Sequence, residues 1–158
     1  PRLAAITLAA FSAWFVWVHF FTTEQWVFLL DHANLALHEA GHPLLGILSS
    51  HLSVYGGTVF QIFFPALFIR HFSRRRHAVG LTASWVWLGE SLMNVGRYMK
   101  DARAGQLPLV GGGDHDWTEI FSRWGVLATD LRIGDTVRLL GLCIVMYALV
   151  QMWKQRES

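Results

Sequence analysis

Cysteine is almost absent: the only one, Cys143, sits inside an apolar run, so no internal disulfide framework holds this chain together. Charge is sparse too. Asp, Glu, Lys and Arg make up 15% of 158 residues, and 13 basic against 11 acidic side chains leave a net charge of only +2. The Lys and Arg cluster at the ends of apolar segments, a membrane-orientation signature that argues against a nucleic-acid partner. There is no internal repeat and no low-complexity tract.

What the chain does have is apolar bulk. It is 53% hydrophobic with eight Trp and eleven Phe, and its mean hydropathy of +0.35 is too high for an ordinary soluble domain of this size. Five hydrophobic segments, at 3–21, 26–48, 54–72, 78–99 and 136–153, each approach the roughly 20 residues that a bilayer crossing needs. The first lacks a small-residue cleavage site and reads as a retained helix. The expectation is a single all-α, multi-pass integral membrane domain over residues 1–158 with about five transmembrane helices. Short connections at 22–25 and 49–53 require antiparallel neighbours, and residues 100–135 form an extramembrane loop.

Two stretches depart from plain helix. Gly56-Gly57, set among β-branched and aromatic residues, is open to two readings: a re-entrant hairpin offering a substrate-binding edge, or a glycine-rich turn between helices. In the long loop, Gly111-Gly112-Gly113 precedes Asp114-His115-Asp116 and suits a segment that folds back toward a buried site, or else a flexible linker. Asp116 followed by Glu119 looks like a capping box. It would open a short amphipathic helix, 117–124, with Ile120, Phe121 and Trp124 toward the membrane interface and Gly125 as its stop.

The chemistry centres on His38-Glu39-Ala40-Gly41-His42 in the second segment. His-Glu-x-x-His on a helix puts two imidazoles one turn apart on one face, able to grip one Zn²⁺, with the glutamate beside it as general base. Ionisable groups inside a membrane span are expensive and usually functional, so the location strengthens the motif and points to a membrane-embedded zinc protease. On a helical wheel Asp31, Asn34, His38 and His42 share an arc, while Ala33, Ala36, Leu37 and Ala40 form a small-residue rear against which a neighbouring helix can pack closely. Pro43 should kink the helix beside the motif. The third ligand is expected from the long loop. His115 is favoured because Asp116 has a capping role available, with Asp116 and Asp114 as alternatives; span counting puts that loop and His42 on the same face. Glu90, Asn94, Arg97 and Asp101 form a second polar stripe. Gln61 and Asn94 read either as substrate-binding or second-shell groups or as interhelical glue, and Glu90 either orients a ligand or pairs within the bundle. His19, His32, His51, His71 and His77 read as interfacial or packing residues.

The motif in a membrane helix, followed by Gly56-Gly57 and Gln61, resembles the site-2-protease type of intramembrane zinc metalloprotease. The resemblance implies peptide-bond hydrolysis in or near the membrane, with His38 and His42 as zinc ligands and Glu39 activating water on a membrane-protein substrate. That family takes its third ligand from an Asp-Gly pair on a later helix. This chain has none, so the Asp114-His115-Asp116 loop would substitute. The family also keeps its site toward the cytosol, whereas Arg70, Arg74, Arg75 and Arg76 with Lys154 and Arg156 orient this loop outward. Two other classes stay open: a non-catalytic accessory subunit that keeps the fold and binds partner subunits and lipid, and a haem or chlorin carrier with axial histidines.

Overall fold

The computed structural model describes residues 2–110 and 114–154; the glycine run 111–113 and Arg156 lie outside them. Among the described residues the chain is helical throughout, without a strand. Six α-helices follow one another: α1 Arg2–Phe21, α2 Phe28–Gly46, α3 Ser50–Arg74, α4 Ala78–Lys100, the short α5 Asp116–Arg123, and α6 Asp130–Lys154 after a 3₁₀ turn at Leu127–Thr129. Arg2–Phe21, Ser50–Arg74 and Leu127–Lys154 are long and apolar enough to cross a membrane. Helices α2 and α4 fall short because each carries an inward polar stripe: Asp31, Asn34 and His38 on one, Glu90 and Ser91 on the other, all buried.

Local chemistry sets the helix starts. The Asp31 carboxylate turns back to accept the Val27 N–H at the head of α2, where the helix dipole also favours a negative group. Ser49 caps α3 by accepting the His51 N–H. His77 and His115 do the same with imidazole Nδ1, accepting from Gly80 N and Thr118 N.

Glycine then decides which helices touch. A Cβ on Gly41 would stand 2.1 Å from the Gly56 carbonyl oxygen, and one on Gly56 would stand 2.2 Å from the Gly41 carbonyl oxygen. The α2 and α3 backbones are therefore in direct contact. The paired glycines are neither a hairpin nor a turn: residues 50–74 form one uninterrupted helix, and glycine is there for its missing side chain. The small rear face expected to seat a neighbour is instead exposed at Ala33, Ala36 and Ala40. Gly89 opposite Gly141 and Gly96 opposite Gly134 repeat the device between antiparallel α4 and α6.

One cluster of buried apolar residues, including Phe15, Val86, Met93 and Val145, joins α1, α4 and α6. The other gathers Val54, Val95, Met99, Trp117, Ile120 and Phe121. In the second, α5 packs into the bundle. Ile120 and Phe121, expected at the membrane interface, are 1% and 0% exposed, and only Trp124, at 55%, stays outside, stacking on Tyr55. Helix α6 begins six residues earlier than its apolar run, because Asp130 is held by Arg103 and by the Leu131 N–H.

Gly56→Ala should lower stability by about 3 kcal/mol, since the clash is with backbone that cannot rotate away. Gly46→Ala, whose Cβ would meet only Ser53 Oγ at 3.5 Å, should leave stability unchanged or slightly raised. Thermal unfolding of both variants in detergent, beside the parent, reads the difference.

Candidate metal centre

The i, i+4 spacing of His38 and His42 on α2 brings their rings to 4.9 Å between centroids. The Glu39 carboxylate joins them, with one ligand atom from each of the three residues within 4.8 Å of the others. A fourth group arrives from the far end of the chain. Asp116 Oδ2 lies 2.9 Å from His38 Nε2 and 3.4 Å from His42 Nε2.

The surroundings orient each of these groups. Ser53 on α3 brackets His42: its carbonyl is 2.9 Å from Nδ1, which donates to it, and its hydroxyl donates to the His42 carbonyl. This fixes the tautomer, so Nε2 presents a lone pair toward Asp116, as in metal sites where a backbone carbonyl orients a ligating histidine. His38 lies against Gly57, where a Cβ would come within 2.5 Å of ring atoms Cε1 and Nε2. Tyr98 packs on the His38 ring, and its hydroxyl oxygen accepts the Asp116 N–H at 3.2 Å.

The loop that delivers Asp116 is tied down by Asp101. Its two carboxylate oxygens accept the Gln106 and Leu107 N–H groups, each at 2.9 Å, and its Oδ2 faces His115 Nε2 at 3.5 Å. Thr118 donates to the Ala102 carbonyl, and Arg123 donates to the His51 carbonyl, fastening the far end of α5. Relative to the sequence expectation the two loop residues exchange roles. His115 is the helix cap, faces Asp101, and is held by burial below the usual histidine pKa against the raising influence of Asp101 and Asp116. That frees Asp116, the first residue of α5, to meet the imidazole pair. Asp114 is exposed at the rim.

Two acceptors, His42 Nε2 and Asp116 Oδ2, face one another across 3.4 Å, an arrangement that calls for a cation or a proton between them. A tetrahedral zinc centre with ligand bonds near 2.0–2.1 Å sets its donors roughly 3.3 Å apart. The His42–Asp116 separation of 3.4 Å matches that spacing, while His38 and Asp116, at 2.9 Å, stand at hydrogen-bond distance and would have to part slightly to admit the ion.

A cavity of about 910 Å³ opens beside the histidines and runs along α2 from Glu24 and Trp26 to His42, with Arg97 and the 107–110 segment on its other walls. Gln61 and Asn94 line it but are engaged with each other: Gln61 Nε2 donates to Asn94 Oδ1 at 2.9 Å, and Asn94 Nδ2 donates to Asp31. Glu90 sits away from the motif, bonded to Asn34 and His19. Tyr98, Ser53 and Asp101 were not singled out from the sequence as parts of this centre. The stripe through Asp101 was visible, but nothing local marks a backbone carbonyl or a phenol as a ligand's support.

Comparison with protein-family models, with curated proteins and with solved structures gives no match.

Gly57→Ala should push the His38 ring aside while α3 stays helical. If the centre takes up Zn²⁺, its affinity should fall by about 10- to 100-fold, the size of effect seen when a ligand's support is disturbed, as measured by competition with a chelating dye against the parent.

Proposed function

We propose that the chain is a multi-pass membrane zinc metallopeptidase of the site-2-protease type, hydrolysing peptide bonds of membrane-embedded or membrane-adjacent substrates. The observation that carries the reading is the convergence of His38, His42 and Asp116 on one point with Glu39 beside it. Three protein donors with a face left open to a cavity is the pattern of a catalytic zinc site; structural sites close all four positions. Two neutral imidazoles and one carboxylate also suit zinc by donor type.

In this reading all five long helices cross the bilayer, α2 and α4 shielded by α1, α3 and α6. Large apolar side chains such as Leu3, Phe28, Ile47 and Leu140 on the outer faces are more than half exposed, which fits a hydrocarbon solvent. Asp116 takes the part that the family gives to an Asp-Gly aspartate, reached here from a loop and a short helix.

His38, His42 and Asp116 would hold a Zn²⁺ ion, which would supply Lewis acidity toward water and the scissile carbonyl, and Ser53 orients His42 with Nε2 toward that point. Glu39 takes the proton of the attacking water and returns it to the leaving amine. The cavity along α2, with the 107–110 segment on one wall, offers room for a stretch of substrate backbone beside Glu39.

Relative to the parent, His42→Ala and Asp116→Ala should each lose one equivalent of zinc by elemental analysis, and His115→Ala should lose none. Glu39→Gln should keep that zinc and lose cleavage of a single-span reporter in proteoliposomes by about 10³-fold or more. Cleavage by Glu39→Gln at the parent rate would overturn the assigned base.

A further inference from the structure

We propose a second site for a divalent metal cation of the zinc or manganese type, formed by His19 of α1, Asp31 of α2 and Glu90 of α4. A ring nitrogen of His19 and one oxygen of each carboxylate lie within 4.8 Å of one another, His19 Nε2 and Glu90 Oε1 being 3.2 Å apart. All three residues are 0% exposed.

Charge is the first argument. Two carboxylates stand in the bundle interior, and among the described residues neither is ion-paired to an arginine or lysine. Arg97, whose charge acts on Asp31 without a direct ion pair, lies over the Trp26 ring, and Arg138 donates to the His19 backbone carbonyl. The partners of the carboxylates are the Val27 N–H and the Asn94 amide at Asp31, the Asn34 amide and His19 Nε2 at Glu90, and each other. The amide donors stabilise ionised carboxylates but supply no positive charge. A divalent cation with two carboxylates and a neutral imidazole is charge-balanced, the state that a low-dielectric interior favours.

The imidazole supplies the second argument. His19 turns Nε2 toward Glu90, where it could ligate, while its Nδ1 is a wholly buried nitrogen with no hydrogen-bond partner, so the ring is not accounted for by hydrogen bonding within the bundle. The supports of a metal site are also in place. Asn34 is locked by the Trp87 and Ser91 side chains, which donate to its oxygen, so its amide holds Glu90 from behind. Asn94, held in turn by Gln61, does the same for Asp31. The cation would pin α1 to α2 and α4 and would be structural, since the 910 Å³ cavity reaches Asp31 but is not lined by His19 or Glu90.

The test is metal content of the full chain purified in detergent from cells supplied with zinc and manganese. The parent should carry two divalent cations per chain and Glu90→Gln one. His42→Ala, which leaves this cluster untouched, should retain one, and when that one is Mn²⁺ its electron spin echo should show coupling to a single imidazole nitrogen. One cation in the parent that His42→Ala removes would overturn the proposal, as would an unchanged count in Glu90→Gln. If Glu90→Gln does not fold, the His42→Ala count and spectrum decide alone. A parent count of two that His42→Ala fails to lower would tell against the protease reading and leave this site standing.

Discussion

The direct backbone contact between α2 and α3 at Gly41 and Gly56 is the constraint on which the rest of the structure depends. In the membrane setting proposed for the bundle, helices would gain nothing from hiding apolar surface, so close van der Waals packing and side-chain hydrogen bonds would have to hold them together. Removing two Cβ atoms lets the axes approach until carbonyl meets backbone. The support that α3 gives the histidines follows from that approach. Ser53 is near enough to clasp His42 from both sides, and Gly57 offers a recess that fits the His38 ring. A bulkier contact would move α3 outward, and both supports would leave their hydrogen-bonding range together.

Helix α4 answers the same problem on its two sides differently. Toward α6 it uses glycine, with Gly89 and Gly96 set against Gly141 and Gly134. Toward α2 and α3 it uses polar side chains, which find partners across the interface: Asn34 with Glu90, Trp87 and Ser91, and Gln61 with Asn94. A buried amide satisfied on both its oxygen and its nitrogen restricts the register of the helices carrying it, whereas an apolar contact tolerates sliding. The polar stripe that makes α2 and α4 too hydrophilic to stand out as membrane spans is thus what locates them within the bundle.

The features legible in sequence are those fixed by local periodicity. The spacing of His38, Glu39 and His42 determines their arrangement once the segment is helical, and apolar run lengths gave four of the long helices to within a few residues. Features that depend on a distant partner were not legible. Gly56-Gly57 looks like a turn until Gly41, fifteen positions earlier, is seen against it. The amphipathic face of α5 identifies Ile120 and Phe121 as covered, but amphipathicity does not say whether lipid or protein does the covering. The exchange between His115 and Asp116 has a similar origin. Cap positions are uncertain by a residue from sequence, and a one-residue shift rotates the next side chain by about 100° around the helix, enough to decide which of two neighbours faces the site.

That exchange also bears on how the centre is assembled. A histidine is a serviceable third ligand, but it would leave a bound Zn²⁺ with its full double charge in a poorly solvated place. A carboxylate halves that charge, and at the first position of a helix it is stabilised by the dipole even before a cation arrives. In the proposed reading α2 supplies two neutral donors and α5 supplies the charged one, so a cation would bind strongly only with α5 docked. Metal binding and docking of α5 would then be linked equilibria. Hydrogen bonds from the Gln106 and Leu107 amides to Asp101 and from the Asp116 amide to Tyr98 hold the described residues on either side near the site without the metal. Less of the binding free energy is then spent on ordering the loop, and more remains to set the affinity of the site.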